Sequence, residues 1–268
     1  MIINQVVKGS GGSGPVGLYR EFQLDANGKL VPNTTTTHIM DFAGVTDVYD
    51  GALTYAYFSN LAISGLVDMS DIEAISGSRA CMEMFSGCTG ITGFDLSSLE
   101  TLSANNACAF MFTNCTGLTS ANLSALKTVS DNTACQSMFE GCTGITSADL
   151  SSLETISGTS GCSAMFRGCV LLASVNLSSL KTLGSNACQY MFSGCTSLTS
   201  LSFPAITTAS FGTRTNQFSG MCTGIPSITL HFPSNVQSII EGLSGYSTTA
   251  PFGAASGTVL FDLPSTNS

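Results

Sequence analysis

Apolar positions recur along this chain in blocks of nearly constant length. From Ala80 to about Ser210 one unit reads A-C-x-x-M-F-x-G-C-T-G-I-T-x-x-D-L-S-S-L-E-T-I-S and returns with few changes. Phe85, Phe112, Phe139, Phe166 and Phe192 form one column, and Met84, Met111, Met138, Met165 and Met191 its neighbour. A third column is Ile91, Leu118, Ile145, Leu172, Leu198 and Ile225. Cys81, Cys108, Cys135 and Cys162 lie 27 residues apart, with Cys188 following after 26. A second cysteine column runs through Cys88, Cys115, Cys142, Cys169, Cys195 and Cys222. A unit this short cannot bury its apolar face alone, so the units must stack into a solenoid. Within each unit, alternation predicts a strand with Phe94 and Leu96 inside and Asp95 outside. The A-C-x-x-M-F run has the 3–4 spacing of a short helical turn, expected on the opposite side of each coil.

Ile91-x-x-Phe94-x-Leu96 is an L-x-x-L-x-L pattern that returns as Leu118-Ala121-Leu123, Ile145-Ala148-Leu150 and Leu172-Val175-Leu177. With Ala-x-x-x-Met-Phe-x-x-Cys before it, the unit resembles the BspA-like leucine-rich repeats found in bacterial surface proteins and phage-encoded proteins. The resemblance covers roughly residues 40–235. Met-Phe often stands where Ala-Phe is usual, and the proline common after the strand occurs only as Pro204 and Pro233, differences of packing detail. The resemblance implies an α/β repeat solenoid: a right-handed leucine-rich-repeat coil with one parallel sheet, short helical turns opposite, and a cap at each end.

The repeat fades toward both ends. Asp41–Val48 matches Asp95–Leu102 two periods later, and Asp68–Ile75 holds the same register between them. Phe58 falls in the phenylalanine column while Leu61 replaces the cysteine, as in degenerate capping repeats. Leu18–Leu24 and Lys29–Val31 flank Asp25-Ala26-Asn27-Gly28, a hairpin signal. Met1–Pro15 has the composition of a flexible linker. The opening as a whole is similar to those of repeat proteins encoded by gut phages and prophages. At the far end Ser234 is placed to N-cap a helix carrying Val236, Ile239, Ile240 and Leu243 and stopping near Gly245. Thr258–Leu263 then reads as a strand. The expected organisation is a tether and hairpin cap over 1–40, a solenoid of 27-residue period over 41–233, and a helix-strand cap over 234–268.

Composition narrows the function classes. With 43% hydrophobic residues the chain is not disordered. Eight basic residues against seventeen acidic ones disfavour nucleic-acid binding. No apolar run approaches the ~18 residues of a membrane-spanning helix. The opening lacks a basic segment followed by an apolar one, so synthesis in the cytoplasm is expected, with display on a virion or a cell surface after release. Eleven cysteines are an odd number, no C-x-x-C pair occurs, and the histidines are His38 and His231 alone. A zinc site is disfavoured. The thiols are expected to be reduced and packed as small hydrophobes, and no cofactor is expected.

The outward columns are uniform. Gly93, Ser120, Ser147, Ser174 and Ser200 form one, and Ser97, Ser124, Ser151 and Ser178 another. Asp95, Asn122, Asp149 and Asn176 lie between them. Tight interfaces favour Trp, Tyr and Arg, absent from these columns, so the central strand face is a poor protein-binding site, though compatible with weak glycan contacts. Glu100, Lys127, Glu154 and Lys181 alternate in sign, which removes like-charge repulsion between rungs about 4.8 Å apart. Asp41, Asp68 and Asp95 break that alternation. They are candidate binding residues and candidate calcium ligands, with a plain solvated acidic face as the simpler reading. Arg214, Tyr246 and Phe252 are the non-repetitive candidates near the C-terminus. No nucleophile, acid–base pair or metal motif stands out, which predicts a noncatalytic interaction or adhesion module that binds a protein or glycan on a cell surface. A structural spacer in a phage tail-like assembly is the alternative, and an acidic decoy of nucleic acid a second.

Overall fold

The computed structural model describes residues 58–60, 62–211 and 216–265, and the strand backbones 7–9, 22–24, 30–32, 40–41 and 45–48 nearer the N-terminus. It is a parallel β-solenoid of about seven turns with little helix. In chain order the strands are β1 (Val7–Gly9), β2 (Phe22–Leu24), β3 (Leu30–Pro32), β4 (Met40–Asp41), β5 (Val45–Val48) and β6 (Ser64–Asp68). Next come β7 (Ala74–Ile75), β8 (Gly90–Asp95), β9 (Thr101–Leu102), β10 (Ser120–Asn122), β11 (Thr128–Val129) and β12 (Ser147–Asp149). The last are β13 (Thr155–Ile156), β14 (Ser174–Asn176), β15 (Thr182–Leu183), β16 (Ser200–Ser202), β17 (Ile228–Pro233) and β18 (Gly257–Leu263).

Each central coil contributes two short strands rather than one, so the expected single sheet is replaced by two files. One file holds the sheets β4-β6-β8, β10-β12-β14 and β16-β17-β18, and the other is the sheet β1-β5-β7-β9-β11-β13-β15. The corner between them has a local cause. Asp95 Oδ1 accepts the Ser97 N–H at 2.9 Å, which ends the first strand in an Asx turn. Leu99 N–H then donates to Leu96 O at 3.1 Å and completes the bend. Asp68, Asn122, Asp149 and Asn176 accept from Ser70, Ser124, Ser151 and Ser178 in the same way.

The third side of the coil is not helical. Cys81, Glu83, Phe85 and Gly87 donate their N–H groups to Ala107, Ala109, Met111 and Thr113 on the next coil, at 2.7–2.9 Å. The residues between them, Met82, Met84, Ser86 and Cys88, donate three residues back at 3.0–3.2 Å. Every backbone donor in this stretch is thereby satisfied, half between coils and half within one. The chain turns through a left-handed residue at every fourth position: Arg79, Glu83 and Gly87 have φ of 61°, 55° and 76°. Asn106, Phe110 and Asn114 repeat the pattern on the next coil at 56°, 58° and 60°. Side chains consequently run two in, two out: Ala80 and Cys81, Met84 and Phe85, then Cys88 are buried. This period of four mimics the helical 3–4 spacing in sequence.

The core is stacked in columns. The rings of Phe58, Phe85, Phe112, Phe139, Phe166 and Phe192 lie nearly parallel, with centroid steps of 5.4, 5.4, 5.6, 5.4 and 5.9 Å. Phe94 lies against Phe112 and Phe139, at 4.8 and 5.4 Å, filling the space that small Ala121 and Ala148 leave in the following coils. Successive coils approach closely where Gly144 enters the strand. A Cβ there would lie 2.5 Å from Thr116 O and 2.6 Å from Leu118 O.

The ends differ from expectation in several places. Gly9, assigned to the linker, ends β1, which pairs antiparallel with β5 through Val7–Val48 and Lys8–Asp47. The rest of Met1–Pro15 lies outside the described residues. β2 and β3 pair antiparallel, Gln23 opposite Val31, while the Asn27-Gly28 turn lies outside the described residues. Ser234 does not cap a helix. A 3-10 turn covers Ser234–Val236, the α-helix α1 is only Gln237–Glu241, and the Ser234 hydroxyl lies 2.9 Å from that of Ser265. β18 pairs parallel with β17.

Two column assignments, those of Cys222 and Ile225, also change. Gly194 donates to Thr223 O, and a Cβ on Gly224 would meet Gly194 Cα at 3.8 Å, so Gly224 stacks on Gly194. That offset is 30 residues, not 27. Cys222 therefore lies against the phenylalanine column beside Phe192, and Ile225 continues from Cys195. The extra residues include the 3-10 turn Thr208–Phe211, whose Phe211 ring packs edge-on against Phe218 at 6.0 Å.

Candidate functional site

The strand register brings Asp41, Asp68 and Asp95 side by side on β4, β6 and β8. What this column selects is visible in its later members. Asn122, Asp149 and Asn176 accept the same backbone N–H as Asp68 and Asp95, so an acceptor at Oδ1 is required and a charge is not. One carboxylate oxygen of Asp68 and one of Asp95 are committed to the turn. Among the described residues no group of three or more His, Cys, Asp or Glu side chains is arranged to hold a metal ion.

The alternating charge column forms ion pairs between coils. Lys127 Nζ lies 2.7 Å from Glu100 and Lys181 Nζ 3.2 Å from Glu154. A third pair, Arg167 with Glu140 at 3.6 Å, joins the opposite side of the coil. Its signal, opposite charges 27 residues apart, was present in the sequence and went unread. These side chains are largely exposed, and such pairs contribute about 0–1 kcal/mol. They fix register and leave little charge for chemistry.

Near the C-terminus the candidates separate. Arg214 lies outside the described residues. Phe252 is fully buried, edge-on to Phe218 at 5.5 Å, so its ring belongs to the cap and not to a binding surface. Tyr246 is half-buried, packed edge-on to Phe252 at 6.5 Å. Burial, and then the charge and hydrogen bond of Glu241, hold its hydroxyl above the usual phenol value. His231 Nδ1 sits 3.0 Å from Asp262 across β17 and β18.

The thiols are unsuited to nucleophilic work. All eleven cysteines are free and buried. Burial pushes Cys115, Cys195 and Cys222 up to about 12. A thiol held protonated so far above neutrality supplies almost no thiolate.

Among the described residues the outward surface breaks its repetition at several exposed apolar side chains, among them Leu66, at 44%, which pairs with Gly93 in the strand-face Ser column, and the adjacent pair Val170-Leu171. Where the coils of Cys88, Cys115 and Cys142 carry Thr-Gly after the second cysteine, and that of Cys195 Thr-Ser, the coil of Cys169 carries Val170-Leu171, and both are exposed, at 38% and 52%. Tyr190, also exposed at 43%, takes a left-handed backbone at the column position of Ser137 and Ala164. The Val170-Leu171 pair is masked in the sequence by the repetition around it. The signal was a departure from two columns at once.

A family model described as BspA type leucine rich repeat region matches the chain in six copies, over residues 78–191 and 135–245. Among solved structures, the chain is similar to a leucine rich cell surface protein from Faecalibacterium prausnitzii A2-165. The identity is 13%, over 83% of this chain and 91% of that one, with a TM-score of 0.20. No curated protein matches.

Proposed function

Because the chain belongs to the BspA-type leucine-rich-repeat family, we propose that it is a noncatalytic module that binds a protein partner while displayed on a virion or cell surface. The observation that carries this reading is the pair Val170 and Leu171. Two adjacent apolar side chains exposed at positions that are Thr and Gly or Ser in other coils cost solubility and add nothing to the core. Elsewhere among the described residues the outward columns are mainly Ser, Thr, Asp, Asn and paired charges, with Leu66, Tyr190 and Leu260 as exposed apolar side chains that do not form an adjacent pair, and the thiols are enclosed, so the chemistry available to the surface is contact. The contact surface then lies at the turn entering β14, away from the uniform Ser and Asp/Asn columns.

The test is capture of the purified protein by intact bacterial cells and by their extracted surface proteins. A Val170→Thr, Leu171→Gly double variant restores the repeat, leaves the core intact, and is expected to lose capture at unchanged thermal stability. Equal capture by the variant would remove this surface from consideration, and absence of capture across plausible hosts would remove the binding reading itself. The uniform serine columns favour a second reading, a stiff spacer within an assembly. Electron microscopy of the native particle separates the two, since a spacer is held between other proteins and an adhesin has a free tip.

A further inference from the structure

The last rung of the solenoid is a strand edge. β18 (Gly257–Leu263) ends the sheet β16-β17-β18, and among the described residues it pairs with β17 alone. It runs seven residues and contains neither lysine nor proline, two common means of blunting such an edge. Its one charge, Asp262, is held 3.0 Å from His231 on β17. At the opposite end of the same file, β4 is only Met40–Asp41 and offers little to pair with.

The pairing with β17 fixes which backbone groups face the free side. Ile228 N–H donates to Ser256 O, and the register then sets Ile228 opposite Gly257, Thr229 opposite Thr258, Leu230 opposite Val259 and His231 opposite Leu260. Thr258 and Leu260 therefore turn their N–H and C=O toward β17, and Val259 turns its own away. Beyond Leu260 the register shifts by one residue, so Phe261 is also left off the β17 ladder. The side chains alternate as well. Val259 and Phe261 are half-buried over the end of the core, with the Phe261 ring 6.3 Å from that of Phe232, while Thr258, Leu260 and Asp262 face solvent.

We propose that this edge pairs antiparallel with the same edge of a second copy, joining two solenoids end to end about a two-fold axis at Leu260. In that register Phe261 of each copy lies opposite Val259 of the other, and each such pair exchanges the N–H and C=O groups that face the free side. Leu260 meets Leu260 of the other copy at the non-hydrogen-bonded position between them, with Cα atoms about 4.5 Å apart. Asp262 falls opposite Thr258, so no like charges meet. A two-fold at Val259 would instead set Phe261 against Gly257 and Leu260 against Thr258, and would lose the aromatic and β-branched cross-strand pairs. A one-residue slip would turn the two cores to opposite faces of the joined sheet. The dimer covers the half-buried end of the core and carries one Val170-Leu171 surface on each arm, so a partner present in many copies is gripped twice.

The full chain is followed by analytical ultracentrifugation across a dilution series. The expected mass rises with concentration from 27.6 kDa to twice that and no further. Leu260 is exposed, so its replacement leaves the core intact. Leu260→Lys sets like charges against each other at the axis and is expected to stay monomeric, as is Leu260→Glu, while an equimolar mixture of the two dimerises again. Leu260→Cys is expected to give a covalent dimer in oxidised glutathione, with residue 260 joined to residue 260 in the non-reduced peptide map, and Thr258→Cys is expected to give none. A chain that stays monomeric at its highest concentration, a dimer that survives Leu260→Lys, charge variants that do not combine, or growth into open-ended filaments by head-to-tail stacking would each overturn the proposal. These readouts are masses and cross-links, not capture by cells, so this proposal and the binding reading fail separately.

Discussion

The thiol of Cys142 lies 2.9 Å from the carbonyl oxygen of Phe112, thirty residues earlier on the preceding coil. The same oxygen accepts the N–H of Cys115 at 3.0 Å. The sulfur thus fills a buried site and occupies the carbonyl's second lone pair, two tasks that a plain hydrophobe cannot combine. Cys142→Ala loses the sulfur's packing and one weak hydrogen bond, a destabilisation of about 1–2 kcal/mol. Cys142→Ser is expected to cost more, about 2–3 kcal/mol, because the shorter C–O bond pulls the donor away from the carbonyl and leaves a buried hydroxyl without a full partner. Urea denaturation of the two variants decides the order, and equal costs would mean the carbonyl contact contributes nothing.

The phenylalanine stack predicts a graded response. Phe139 touches Phe112, Phe166 and Phe94, whereas Phe192, with a 5.9 Å step, ends the run of parallel rings. Phe139→Ala should cost about 3–5 kcal/mol, near the top of the range for core truncations, since a cavity in the centre of a solenoid borders two coils. Phe139→Leu, which keeps most of the volume, should cost markedly less. Thermal unfolding measures both.

The Asx column separates acceptor from charge. Asp149→Asn keeps the Oδ1 that receives the Ser151 N–H and reproduces what Asn122 and Asn176 already do, so its stability should match the parent within about 0.5 kcal/mol. Asp149→Ala removes the acceptor at a turn and should cost about 0.5–1.5 kcal/mol. If Asp149→Asn were as damaging as Asp149→Ala, the charge would be doing the work and the turn explanation would fail.

These cases show where the sequence was transparent. The inward columns could be read because stacking converts sequence repetition directly into spatial neighbours, one coil apart. The side bearing Cys81, Met84 and Phe85 was misread because a two-in, two-out ribbon and a helical turn share the same apolar spacing. What distinguishes them is the left-handed residue at every fourth position; Gly87, Asn106, Asn114, Gly141 and Gly168 signal it, but Arg79, Glu83, Phe110, Ser137, Ala164 and Tyr190 hold the same backbone without announcing it, so the signal is broken in every coil. The position of Cys222 was obscured by coincidence: an insertion around Phe211 shifts its coil by three residues, and the cysteine happens to fall 27 residues after Cys195. Among the candidate binding residues, Phe252 illustrates the general limit, since an aromatic in a unique segment reads alike whether it caps a core or faces a partner.

The buried thiols predict a steep alkaline limit. An ordinary thiol titrates near 9, whereas burial raises Cys115, Cys195 and Cys222 to about 12 and pushes Cys142 and Cys169 up further. Between those values the unfolded chain has lost protons that the folded chain still holds. Stability is therefore unaffected below about pH 8 and falls as pH rises from about 9 upward, by as much as about 1.4 kcal/mol per pH unit for each such thiol. Several thiols titrating together multiply that slope, so a protein with a typical stability of about 5–15 kcal/mol should unfold within one or two pH units above 9. Circular dichroism followed against pH, with thiolate absorbance recorded in parallel, should show the two changes together. Replacing Cys142 with Ala should move the transition to higher pH relative to the variant's own neutral-pH stability, and thiolates appearing in a chain that stays folded would contradict the account.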